Sequence, residues 1–190
     1  MSGLAVLTRW AIFSSFLTIV SLAVSGIFQP ADAADAAEIE FRVNRSLDQF
    51  RQEIQGSEAL LKKAKAVLVL PKVYKAGFGL GGEYGEGALR VHGKTADYYN
   101  MIAASWGFQL GAQKKTVLLL FMTDDAFSKF RTSDGWKAGV DASVALIKVG
   151  AEGSLDTQNI NNPVVGFVIG QKGLMYDLSL EGAKFSKIKK

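Results

Sequence analysis

The sequence has no cysteine and one histidine, His92, in 190 residues. The missing cysteine excludes disulfides, thiolate nucleophiles, iron–sulfur clusters and cysteine-based zinc sites. It also excludes a lipid anchor attached through a cysteine after a leader. The near-absence of histidine excludes a histidine-rich metal site. Proline is scarce as well, three residues against 20 glycines, and that balance leans toward β-structure with close backbone packing. Charged residues make up 21% and apolar residues 48%. A chain of that balance can bury a core and is not globally disordered. The net charge of +4 suits an anionic partner such as acidic lipid.

Residues 1–33 read as a secretion signal. Arg9 supplies the positive start, and Trp10 to Val24 form an apolar run of 15 residues. A membrane span needs about 20 residues, so this run suits a leader better. Gly26 and Pro30 follow, then Ala31-Asp32-Ala33 as an A-x-A cleavage site, with Ala34-Asp35-Ala36 as a second choice. The expectation is an exported protein, periplasmic or secreted, whose residues 34–190 form a single domain.

That domain opens with a helical period. Ile39, Val43, Leu47, Phe50 and Ile54 line one face, with Arg42, Arg45, Asp48, Arg51 and Glu53 between them. Gly56 ends or kinks the helix, and Ser57 is placed to cap a second one. The acids Glu38, Glu40, Asp48, Glu53 and Glu58 nearly balance the bases, so the helix reads as a cover for a sheet rather than a membrane-surface helix. From Ala66 the period becomes two. Strands are expected at 66–70 (bounded by Pro71), 76–91, 97–113, 116–122, 137–151, 164–170 and 173–182. One short helix interrupts them, with Thr123 as its cap and Asp124 and Asp125 in its first turn. The fold class is α+β: an N-terminal amphipathic helix packed on a strongly curved, mostly antiparallel β-sheet or sandwich with one short internal helix.

Gly77-Phe78-Gly79-Leu80-Gly81-Gly82 satisfies the G-x-G-x-x-G pattern of a dinucleotide turn. Such a turn must lead into a helix whose N-terminus receives the pyrophosphate. Here it leads into "EYGEGALRV", with Gly85 and Gly87 against a helix and Glu83 and Glu86 against a phosphate. The pattern Gly–aromatic–x–aliphatic–Gly recurs at Gly107, Gly135 and Gly166, at steps of 30, 28 and 31. On a strand it puts the aromatic and aliphatic side chains on one face and bare backbone on the other, allowing close approach or a sharp bend.

No catalytic constellation emerges. Glu83 and Glu86, three apart on a strand, face opposite sides. Asp124 and Asp125 are explained by capping. Ser105 lacks a nucleophile elbow, and His92 belongs to a turn beside Gly93. "DTQNINN" lacks calcium-loop spacing. No cofactor, metal or nucleic-acid partner is called for, and no enzyme activity is expected. Two basic clusters remain: Lys62, Lys63, Lys65, Lys72 and Lys75, and then Lys184, Lys187, Lys189 and Lys190. Such clusters suit an anionic membrane surface.

Five blocks, "AKAVLVLPKVYKAGFGLGGEYGEGAL", "YYNMIAASWGFQLGAQ", "LLLFMTDDAFSKF", "GWKAGVDASVAL" and "GLMYDLSLEGAKFSKI", together resemble the SYLF domain family, in that family's order and over roughly residues 35 to 190. The resemblance implies a non-catalytic phospholipid-binding domain. Eukaryotic members bind phosphoinositides, and some bind actin. This sequence departs from them in its leader, in lacking an SH3 or FYVE domain, and in a charge-balanced rather than basic first helix. The alternative expectation is an envelope protein that binds another polypeptide, actin included if delivered to a host, with no lipid role.

Overall fold

A computed structural model of the chain describes residues 34–107, 113–147, 160–170, 173–174 and 180–190, apart from the side chains of 76–80, 105–107, 113 and 173–174. The expected leader lies outside the described residues, as do Phe108–Gly111 of the second glycine motif and most of the 154–162 loop.

Helix α1 (Ala36–Glu53) begins where Asp35 accepts a hydrogen bond from Glu38 N. It buries Ile39, Val43 and Phe50, the stripe its period predicts, and Ile54 is buried just past its end. Gly56 takes a left-handed φ of 78° and turns the chain into α2 (Ser57–Lys63). Ser57 is thus the first residue of α2 and not its cap. Its hydroxyl donates instead to the Arg51 carbonyl, at 3.5 Å.

A 26-residue strand, β1 (Ala66–Val91), follows. Straight, it would run about 85 Å, against a radius of gyration of roughly 15 Å for a domain of this size. It must therefore curl. Its first part pairs with β3 (Gln113–Phe121) and its second with β2 (Lys94–Gly107), both antiparallel. The curl brings the second part of β1 across the first. A Cβ on Gly85 would lie 2.7 Å from the Lys72 carbonyl, and one on Gly87 would lie 2.8 Å from Leu70 Cα. The bare backbone expected of the glycine-rich stretch is used here, at Gly85 and Gly87, to let the strand pass over itself.

Pro71 does not end the strand. It sits in a bulge between Leu70 and Val73, where β1 spends one residue more than β3. Proline lacks the N–H that a ladder needs, and a bulge tolerates that loss. Thr116 Oγ1 donates to the Pro71 carbonyl, at 3.0 Å. The extra residue also switches the facing of the strand: Leu68, Leu70 and Val73 all reach one core.

The sheet order is β4 (Trp136–Lys137), β8 (Lys184–Ile188), β2, β1, β3, β6 (Val164–Gly170) and β5 (Ala145–Leu146), with β7 (Gly173–Leu174) paired to β6. Among the described strands, only β5 and β6 run parallel. Both faces of the central strands are buried, which is why "AVLVL" and "TVLLLF" read as unbroken apolar runs. Val67, Val69, Leu118, Leu120 and Phe167 pack under α1, and Phe50 meets Phe167 edge-on at 4.8 Å. Leu68, Leu70, Val117, Leu119 and Phe121 face the inner core. Helix α3 (Asp124–Thr132) is held by the Thr123 cap and inserts Phe130 among Tyr99, Phe121, Trp136 and Phe185.

Two strand assignments need correction. Residues 137–151 do not form one strand. Gly139 (φ 81°) and a hydrogen bond from Lys137 N to Asp141 Oδ2 reverse the chain, leaving Val140 73% exposed. Ile188 and its neighbours form a paired strand that the basic composition of the tail concealed. His92 (φ 50°) and Gly93 (φ 78°) make the turn between β1 and β2, two residues long rather than the 92–96 left between the expected strands, because β2 begins at Lys94.

Candidate functional site

The β1 bulge has a second effect. Because Val73 has turned inward, Lys72 lies on the α1 side, where it lines a groove of about 800 Å³ with Lys114, Arg42, Arg45 and Phe41. Arg42 flanks the buried stripe of α1, and Arg45 lies farther round on its exposed face. Tyr74 and Lys114 are directly opposed on β1 and β3, so they share this face. Burial first, and then the positive charges of Arg42 and Lys114, lower the Lys72 pKa from its ordinary value. That shift marks a place where like charges converge.

Carboxylates only partly compensate the groove. Three line it: Glu38 pairs with Arg42, Asp48 is taken by Arg51, and Glu53 accepts a hydrogen bond from Gln49 Nε2 at 2.8 Å. Arg45 lies over the Phe41 ring, 5.9 Å from its centre. Among the described residues, Arg45, Lys72 and Lys114 form no ion pair. Phe41 is 62% exposed and Tyr74 46%. The groove thus presents unneutralised cations beside exposed aromatic rings.

Glu40 fixes α1, which forms one wall. It accepts hydrogen bonds from Thr95 Oγ1 (2.6 Å) and Tyr98 OH (3.0 Å) and pairs with Arg90 at 2.7 Å. Burial, then the Glu40 hydrogen bond, raises the Tyr98 pKa. Below the groove, Lys115 points into the curl and meets Glu83 at 2.7 Å, both of them buried. Glu86 faces the other way, toward Tyr84 OH (2.7 Å) and Lys190 (2.8 Å). The two glutamates are on opposite faces, as their spacing requires.

The sequence-predicted lysines do not converge on one place. Lys72 lies in the groove. Lys62 and Lys65 line a different cavity and pair with Glu58 and Asp124, at 3.8 and 2.9 Å. Lys63 is exposed and Lys75 half-buried, and neither lines either cavity. In the C-terminal cluster, Lys184 lays its stem across Gly135, Lys187 pairs with Asp97, Lys190 pairs with Glu86, and Lys189 is exposed. Arg42, Arg45 and Lys114 were missed. The clues were the i,i+3 arginines on the polar helix face and the "KK" at 114–115.

No group of metal-ligating side chains occurs among the described residues. No described helix is long and apolar enough to cross a membrane. Residues 102–190 match the family model described as Ysc84, Las17-binding protein actin regulator. That match, over 89 of the 190 residues, is consistent with the SYLF resemblance of the sequence. No curated protein matches the chain. The SYLF match starts within β2 and includes Lys114 and the C-terminal lysines; α1 and the bulge that supplies Lys72 precede it.

Proposed function

We propose that the protein is an exported, non-catalytic SYLF-domain protein that associates with anionic phospholipid surfaces through the groove between α1 and the β1–β3 pair. The observation that carries this reading is the juxtaposition of Arg45, Lys72 and Lys114, which form no ion pair among the described residues, with exposed Phe41 in the groove and exposed Tyr74 on the same sheet face. Cations that meet acidic headgroups, with aromatic rings at the interface, are the means of peripheral membrane binding. At about 1 kcal/mol per cation, the three contribute about 3 kcal/mol, roughly a hundredfold in partitioning. Export is supported by Arg9, the 15-residue apolar run and the A-x-A site.

Residues 34–190, which contain both cores, are to be floated with vesicles at low salt. Vesicles containing phosphatidylglycerol should recruit the protein and pure phosphatidylcholine vesicles should not. The triple variant R45E/K72E/K114E should stay in the unbound fraction. Equal recruitment by neutral and anionic vesicles overturns the proposal.

The second reading is a protein-binding envelope component, including actin binding on delivery to a host. It is favoured by Tyr84 and Ile102, directly opposed on β1 and β2 and 42% and 54% exposed, and by the family's description as an actin regulator. Capture of a partner from an envelope extract, insensitive to lipid and lost in I102D, supports it.

A further inference from the structure

Helix α1 covers only part of the outer face of the sheet. Ala88 and Tyr98, directly opposed on β1 and β2, pack with the core beneath α1. Four residues further along each strand, on the same face, the opposed pair Tyr84 and Ile102 is exposed. The register carries this row across two more strands. Ile102 is opposed to Lys184 on β8, and Lys184 to Lys137 on β4. At ~4.8 Å per strand, the row Tyr84–Ile102–Lys184–Lys137 is about 14 Å long. The adjacent residues Met101, Phe185 and Trp136 fill the inner core, which commits the row to the outer face.

The charge on this row is one-sided. Lys137 and Lys184 are exposed and form no ion pair among the described residues. The acid beside them on the face, Glu86, is engaged at both oxygens, by Tyr84 OH at 2.7 Å and Lys190 Nζ at 2.8 Å. Two of the row's side chains are also held in place. Tyr84 is tied to Glu86, and the stem of Lys184 lies across the bare backbone of Gly135. Side chains fixed before binding lose less entropy when a partner arrives.

We infer that this row docks an acidic amphipathic helix of another protein, its apolar side chains on Tyr84 and Ile102 and its carboxylates on Lys184 and Lys137. The middle of the apolar pair and the middle of the lysine pair are two strand spacings apart, about 10 Å. That is close to two turns of an α-helix. A helix with an apolar patch and, two turns on, acids along the same face meets both halves at once. It also continues the helical layer that α1 begins. The inference rests on the protein-binding reading and adds to it the chemistry of the partner.

The probe is a fluorescein-labelled helical peptide of about five turns, with leucines at one end of a face and glutamates two turns further along it. Fluorescence anisotropy with the full-length protein at physiological salt should rise saturably. The same peptide with lysines for its glutamates should not bind. Ile102→Ser should weaken the acidic peptide about tenfold through lost apolar contact. K137E, at an exposed position outside both cores, should weaken it about tenfold by placing like charges together. The groove variant R45E/K72E/K114E should bind it as the parent does. The inference is overturned by the absence of a saturable rise, by equal binding of the two peptides, by binding unchanged in both I102S and K137E, or by binding lost in the groove variant. If I102S reduces flotation with phosphatidylglycerol vesicles and leaves the peptide unaffected, the face belongs to a bilayer and the inference falls. If I102D abolishes capture of an envelope partner while the two peptides bind alike, the protein-binding reading stands and the acidic helix is wrong.

Discussion

Replacing Lys115 by methionine tests the account of the curl. Lys115 and Glu83 are 5% and 8% exposed, and they meet inside the curled sheet at 2.7 Å, the Lys115 Nζ lying out of line for a hydrogen bond. The pair therefore gains Coulomb attraction without the directional bonding that best offsets desolvation. Methionine keeps most of the volume but leaves the Glu83 carboxylate buried and alone. Breaking a buried pair in this way costs about 3–5 kcal/mol. At roughly 2–4 °C per kcal/mol for a domain of this size, Tm should fall by about 6–20 °C. The double variant E83L/K115M removes both charges and should return to within ~1 kcal/mol of the parent, or exceed it. The exposed Lys187, 59% accessible and paired with Asp97, is the control, and K187M should cost less than about 1 kcal/mol. The assay is guanidinium unfolding of residues 34–190, followed through Trp106 and Trp136 or by far-ultraviolet dichroism. The reasoning fails if K115M costs less than ~1 kcal/mol, or if the double variant is no better than the single.

The crossing of β1 over itself predicts that Gly87→Ala is severe, at or beyond the ~1–3 kcal/mol of ordinary overpacking, because the Val69 and Leu70 backbone meets the new Cβ. Gly93→Ala meets nothing within 4 Å and should cost only about 1 kcal/mol for its left-handed φ; a ranking in the opposite order refutes the crossing. Burial, and then the Asp97 charge, pushes the Tyr99 pKa up to about 12. The unfolded tyrosine ionises first as pH rises, so this contribution is whole below about pH 10 and is lost between about 10 and 12. Tyr99→Phe should flatten the alkaline unfolding profile over that window, and an unchanged slope would contradict it.

Most of the fold could be read locally. The helical stripe of α1, the Thr123 cap, the His92–Gly93 turn and the strand at 164–170 each follow from a short pattern whose physics is complete within a few residues. The misreadings have long-range causes. Pro71 reads as a terminator because its missing N–H breaks a regular ladder. Only pairing with β3, more than 40 residues on, shows that a bulge absorbs it. The apolar alternation of 137–151 was overruled by two local signals, Gly139 and Asp141, that reverse the chain. The last strand was masked by lysines: Lys184 and Lys187 are exposed, while Phe185 alone enters the core.

The candidate groove was harder to see, because charge counted along a sequence is not charge in space. Of the nine lysines singled out by clustering, only Lys72 reaches the groove. It gets there because one bulge residue reverses the facing of β1 after Leu70. Without that residue, Lys72 would fall in the inward phase of Leu68 and Leu70 and would need a buried partner, as Lys115 does. Its companions come from a helix about 30 residues before it and a strand about 40 residues after it, brought together by the curl of β1 and the hold of Glu40 on the β1–β2 pair. Proline in a strand, a lysine just after it and arginines on the polar face of a distant helix each have an ordinary local explanation. Their shared meaning lies in the pairing register, which no single stretch of the sequence states.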